Sequence, residues 1–152
     1  MTASTRKWAS FATVSVAMIT AGAQADNLLD IDLSVVDQIT ITATSGLSAV
    51  SASGSNFTGV FMDGIFGANS SISATLVSGN LTSANNPSDN TPSLFSSSSD
   101  NGLNMWSFSS DSTVSFTAGS QAFAGSATWN IDSAAYALLL SGNSSGNIYF
   151  PT

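Results

Sequence analysis

FAGSATWNI, residues 123–131, decides the fold class. Phe123, Gly125, Ala127, Trp129 and Ile131 share one parity, while Ala124, Ser126, Thr128 and Asn130 share the other. A period of two places alternate side chains on opposite faces of an extended strand, here one dry and one hydroxylated. The same alternation recurs upstream. Ile39, Ile41 and Ala43 alternate with Gln38, Thr40, Thr42 and Thr44, and Val114, Phe116 and Ala118 alternate with Thr113, Ser115 and Thr117. Further strands are expected at Leu28 to Val36, Leu47 to Ser53, Gly59 to Phe66, Ile72 to Val77, Met105 to Ser109 and Asn147 to Phe150. Turn chemistry separates them at Ser45-Gly46, Ser53-Gly54, Ser78-Gly79-Asn80, Asp100-Asn101-Gly102 and Ala118-Gly119. Parallel strands need repeated crossover connections, usually helices, and those are missing. The pattern predicts a single all-β domain, an antiparallel β-sandwich or jelly roll.

Directly after the diagnostic strand the period changes. DSAAYALLLSG, Asp132 to Gly142, carries no charge after its first residue and is rich in helix formers. It predicts one short late helix at about 133–141, with Asp132 as N-cap and Gly142 just past the end. The longest loop is expected at Asn85 to Asp100, where Pro87, Pro92 and a serine run oppose regular structure except around Leu94 and Phe95. TITATSGLSAVSASGS from Thr40 and TVSFTAGSQAFAGSAT from Thr113 share residues at matching offsets, and read as two separate hairpins of similar design.

At the other end of the 152-residue chain, Arg6 and Lys7 are the only basic side chains. Trp8 to Gly22 follows without a charge and leads into Ala23-Gln24-Ala25. A basic segment, an apolar segment and an A-x-A box form a secretory signal peptide, 1–25, cleaved after Ala25. The apolar stretch falls short of the roughly 20 residues that a membrane-spanning helix needs. The mature domain is then 26–152, and its nine acids, all aspartates, stand without one cationic side chain.

This charge balance excludes partners. Phosphate backbones and anionic lipid surfaces are held by Lys and Arg, so no nucleic-acid binding and no membrane insertion of the mature chain is expected. Disulfides are impossible without cysteine. Neither His, Cys nor Glu occurs anywhere, so the usual general bases and activated nucleophiles are missing and a non-enzymatic protein is expected. A hydrolase would require two aspartates converging in one cleft.

Two binding chemistries remain open. Hard cations take oxygen ligands, and the loops offer Asp89 with Asn90, Asp100 with Asn101 and Asn104, and Asp63 as calcium candidates. The commoner role of such residues is an Asx-turn in a solvated loop. Asp30 and Asp32 share one face of a strand and read as an edge guarded against aggregation. Trp106, close to the Asp100 loop, is the candidate for stacking on a sugar ring, against a plain core role; Trp129 continues its strand's dry parity and is assigned to the core. The sequons at Asn56, Asn69, Asn80 and Asn143 matter only in a eukaryotic secretory route.

DIDLSVVDQITITATSGLSAVSASGS, NPSDNTPSLF, STVSFTAGS, GSATWNID and SGNIYFP resemble the passenger region of secreted bacterial proteins of the PEP-CTERM, or exosortase-sorted, type. The resemblance implies export in a Gram-negative bacterium, sorting at the envelope and association with exopolysaccharide or biofilm matrix. It brings no catalytic residue. The Pro-Glu-Pro motif, membrane helix and basic tail of the sorted class are not in this sequence, which ends YFPT, so a fragment or a form released without sorting is expected. The expected function is that of a structural or matrix-interacting extracellular or envelope-associated protein with extracellular polysaccharide as partner. The alternative is a calcium-assisted carbohydrate-binding module.

Overall fold

The alternation at residues 123–131 becomes the longest-paired strand of the domain. The computed structural model describes residues 8–12, 26–54, 57–96, 99–107 and 113–151, the first segment by its backbone alone. In chain order the strands are β1 (Trp8–Ala12), β2 (Asn27–Asp32), β3 (Gln38–Ala43), β4 (Ala52–Gly54), β5 (Val60–Met62), β6 (Ala74–Ser83), β7 (Leu94–Phe95), β8 (Leu103–Met105), β9 (Val114–Phe116), β10 (Phe123–Ile131) and β11 (Ser145–Tyr149). One helix, α1 (Ser133–Ser141), stands between the last two. Arg6, Lys7, the Ala23-Gln24-Ala25 box, Asn56 and the end of an expected strand at Phe108 and Ser109 lie outside the described residues.

Nine strands form one sheet in the order β6-β10-β3-β2-β1-β11-β5-β8-β7, and β4 pairs with β9 in a second. Among the described residues every pairing is antiparallel except β1 with β11. The chain is therefore all-β and sandwich-like with one short helix, as its periodicity predicts. A single buried cluster joins Leu29 and Ile31 of β2, Ile39 and Ile41 of β3, Met62 of β5, Phe123 and Trp129 of β10 and Ile148 of β11. Phe116, Phe123 and Phe150 pack ring against ring with centroids 4.3 to 6.2 Å apart. With no cysteine and no cationic side chain in residues 26–152, this apolar burial is the chief term opposing chain entropy.

The segments with echoing sequences are partners of each other, not separate hairpins. One antiparallel register runs from Gln38 against Asn130, through Ile41 against Ala127 and Leu47 against Gln121, to Gly54 against Val114. Between β3 and β10 this register sets dry side chains opposite dry ones, Ile39 against Trp129 and Ile41 against Ala127. Ser78-Gly79-Asn80, expected as a turn, instead lies inside β6. Gly79 takes φ +100° close to a bulge against β10, between Thr128 and Trp129, so glycine's conformational freedom bends a strand there and does not end it.

α1 occupies the predicted residues. Asp132 caps it, its Oδ1 accepting the N–H of Ala135 at 2.8 Å while Oδ2 accepts that of Ser73. Ala135 and Leu139, one turn apart, are buried, and Tyr136 donates its hydroxyl to the Leu33 carbonyl. Gly142 caps the C-terminus as expected, at φ −75°, an ordinary extended value. What demands glycine is space: a Cβ there would collide with the main-chain oxygen of Ile65. Substituting Asp132 by alanine is expected to cost about 1 kcal/mol in urea denaturation, the usual value of an N-cap. Asp132→Asn, which keeps one acceptor oxygen for the Ala135 N–H, is expected to lose less than Asp132→Ala.

Candidate functional site

The wet parity of β3 and β10 forms a ladder of side-chain hydrogen bonds. Gln38 Nε2 donates to Asn130 Oδ1 at 3.0 Å, and the hydroxyls of Thr40 and Thr128, and of Thr42 and Ser126, each meet at 2.8 Å. Directly opposed residues share a face, so the register stacks these three rungs in a row. The pairing extends the row both ways. On β6, Thr75 lies opposite Asn130, Ser78 opposite Thr128 and Asn80 opposite Ser126. On β2, Asp32 lies opposite Thr40 and Asp30 opposite Thr42. Beneath this face Ile39, Ile41, Ala127 and Trp129 are buried, which fixes the strands as a rigid support.

The face is a field of hydroxyls and amides bounded on one side by two carboxylates. Hydroxyl and amide groups both donate and accept, so the rungs can exchange hydrogen bonds with a polyhydroxylated ligand, while the aspartates only accept. Each group of the sequence's polar parity is visible in the alternation. Their assembly into rungs is not, because it depends on strand register.

The residues singled out as ligand candidates are placed elsewhere. Asp89 is buried, 1% exposed, and its Oδ2 accepts both the N–H of Ser83 at 3.0 Å and the Ser83 hydroxyl at 2.6 Å. Thr91 likewise accepts the Leu81 N–H. These two loop side chains thus stand in for a neighbouring strand along part of the outer edge of β6. Asp89 Oδ1 is buried without a hydrogen-bond partner. Burial raises the Asp89 carboxyl above its ordinary value of 3.8, and the Ser83 bonds pull the other way without prevailing.

Trp106 meets the same loop from the core side. Its Nε1 donates to the Asn90 carbonyl at 2.9 Å, and its ring, 1% exposed, stacks on Phe123 with centroids 6.2 Å apart. The indole faces are packed inside the domain, so a sugar ring has no access to them in this conformation. Asp100, Asn101 and Asn104 serve the chain itself. Asp100 Oδ1 accepts the Gly102 N–H in an Asx-turn, the Asn101 carbonyl accepts the Phe66 N–H, and buried Asn104 donates to the Thr58 carbonyl at 2.7 Å. Asp63 sits in the turn after β5, its N–H donating to the Asn147 carbonyl. Among the described residues no three acidic, histidine or cysteine side chains gather where they could hold a metal ion.

Comparison with known proteins finds no matching family model, no curated protein and no solved structure of significant similarity. Among the described residues no helix is long and apolar enough to cross a membrane.

The two shifted aspartates give opposite pH signatures. Asp132 is held below its ordinary value, chiefly by the Ala135 N–H, so its contribution is present at neutral pH and is lost as pH falls through the lowered value. Asp89 is raised, so the folded state takes up a proton before the unfolded chain does. Its contribution is full below about pH 3.8 and is lost as pH rises through the raised value. Urea midpoints measured from pH 7 to pH 4 are therefore expected to improve for wild type relative to Asp89→Asn. A constant difference between the two proteins across that range would contradict the raised carboxyl.

Proposed function

We propose that the chain is exported and acts without catalysis as a structural protein of the extracellular matrix or envelope, lying against polysaccharide through the β3–β10 face. The hydrogen-bonded polar ladder carries this reading, because it is an uncharged, rigid, solvent-facing surface of donors and acceptors in an otherwise acidic domain. The three-part leader supports export, and the resemblance to exosortase-sorted passenger regions points to the same surroundings. The lack of His, Cys, Glu and any base beyond Lys7 supports a non-enzymatic role.

The test is retention on insoluble polysaccharide. Thr40→Val with Thr128→Val removes the middle rung and leaves side-chain shape nearly unchanged. Retention is expected to fall about tenfold or more, as for loss of one or two good hydrogen bonds, while stability changes by about 1 kcal/mol or less. Undiminished retention by a folded double variant would end the proposal. Chelation is expected to leave retention unaltered; dependence on calcium would transfer the assignment to the calcium-assisted carbohydrate-binding module.

A further inference from the structure

β1 sits where the export reading says it cannot stay. Residues 8–12 belong to the leader's apolar segment, yet their backbone fills a position inside the nine-stranded sheet. β1 runs antiparallel to β2, with Trp8 opposite Asp32, Ala9 opposite Ile31, Ser10 opposite Asp30 and Phe11 opposite Leu29. It runs parallel to β11, with Ser10 opposite Ser145 and Ala12 opposite Asn147. Among the described residues only β1 connects β2 to β11. Without it, β6-β10-β3-β2 and β11-β5-β8-β7 each end in an unpaired edge, beside the buried Leu29, Ile31 and Ile148. Unpaired backbone groups next to a core are costly, and an open sheet edge accepts an added strand.

We propose that the gap between β2 and β11 is a strand-acceptor site, which an extended segment of another polypeptide enters once the leader has gone. This rests on the export reading above. The register defines the occupant. It runs parallel to β11 and antiparallel to β2, carries apolar side chains opposite Leu29 and Ile31, and carries basic side chains opposite Asp30 and Asp32. Basic residues at the latter two positions gain from carboxylates that no cation of residues 26–152 can neutralise. The leader strand is the occupant's stand-in before processing.

The full-length gene is expressed in a secreting bacterium and the exported product recovered. Its mass gives the N-terminus. A product beginning at Asp26 upholds the export reading, and a labelled peptide of residues 6–14, RKWASFATV, is then added to it. Saturable binding of one peptide per chain, a higher melting temperature and slower amide exchange in β2 and β11 are expected. The same peptide with Ser10→Pro and Phe11→Asp, which loses a ladder N–H and sets a charge at the register position opposite Leu29, is expected to bind about tenfold more weakly or worse. A peptide with lysine in place of Trp8 and Ser10 is expected to bind at least as tightly. Absence of saturable binding, β2 and β11 amides already protected without peptide, or a dimer that excludes the peptide would each overturn the acceptor site while leaving export intact. A product that retains Trp8–Ala12 would overturn the export reading and the acceptor site with it, so the first measurement tells the two failures apart.

Discussion

Trp129→Ala is expected to destabilise the domain by about 3–5 kcal/mol, the range for emptying a large aromatic site in a packed core. Against a total stability of about 5–15 kcal/mol this leaves a protein near its unfolding threshold. Trp129 is 1% exposed and lies on a strand paired on both sides, opposite Ile39 of β3 and Leu76 of β6. Its Nε1 donates to the Pro92 carbonyl at 3.2 Å, tying the Asn85–Asp100 loop to the core. Trp129→Phe keeps most of the ring volume and loses that bond, so it is expected to cost less, about 1–3 kcal/mol. The order Ala worse than Phe, read from urea midpoints at unchanged slope, is the check. Equal losses would mean that the Pro92 tie and not the packing is what matters. Because Thr128 and Asn130 alternate with Trp129 along β10, polysaccharide retention should disappear together with the fold in the alanine variant. The Thr40→Val, Thr128→Val protein separates binding from folding in the way that Trp129→Ala cannot.

Local signals carry much of this architecture, and pairing carries the rest. β10 is legible because Phe123, Ala127, Trp129 and Ile131 of its dry parity are all buried, with only the side-chain-free Gly125 exposed among them. The helix is legible because Asp132 supplies a cap and the following residues abandon alternation. Two readings fail for want of distant partners. The Ser78-Gly79-Asn80 triplet has the chemistry of a turn, but β10 alongside holds it in the sheet. The echoing segments look like two hairpins until the register shows each pairing with the other. Gly142 ends the helix as its place in the sequence suggests, and the nearby Ile65 carbonyl, distant along the chain, adds the reason a side chain is excluded there. The ligand candidates follow the same rule. Trp106 looks accessible from its neighbours in sequence, and only Phe123 and Asn90, distant along the chain, show that its ring is enclosed. The polar ladder is the counterpart: ordinary serines and threonines become a surface because two strands share a register.

Gly125 provides the sharpest separation of backbone from packing effects. It lies within β10 at φ +83°, a region that L side chains rarely adopt, and a Cβ there would strike the main-chain oxygen of Asn80 on β6. Gly119, in the turn after β9, has nearly the same backbone, φ +77°, but nothing lies near where its Cβ would be. Gly119→Ala therefore incurs only the conformational penalty, about 1 kcal/mol. Gly125→Ala incurs that penalty plus a collision with backbone that cannot rotate away, and is expected to cost about 2–5 kcal/mol in all. The collision has a second consequence. Asn80 pairs with Ser126 at the β6 end of the polar face, so relieving it by moving β6 outward would also disrupt the edge formed by Ser78 and Asn80. Gly125→Ala should then show faster amide exchange in β6 than in β3, whereas Gly119→Ala should leave both unchanged. Similar losses for the two alanine variants would mean that β6 and β10 do not approach as closely as the bulged register requires.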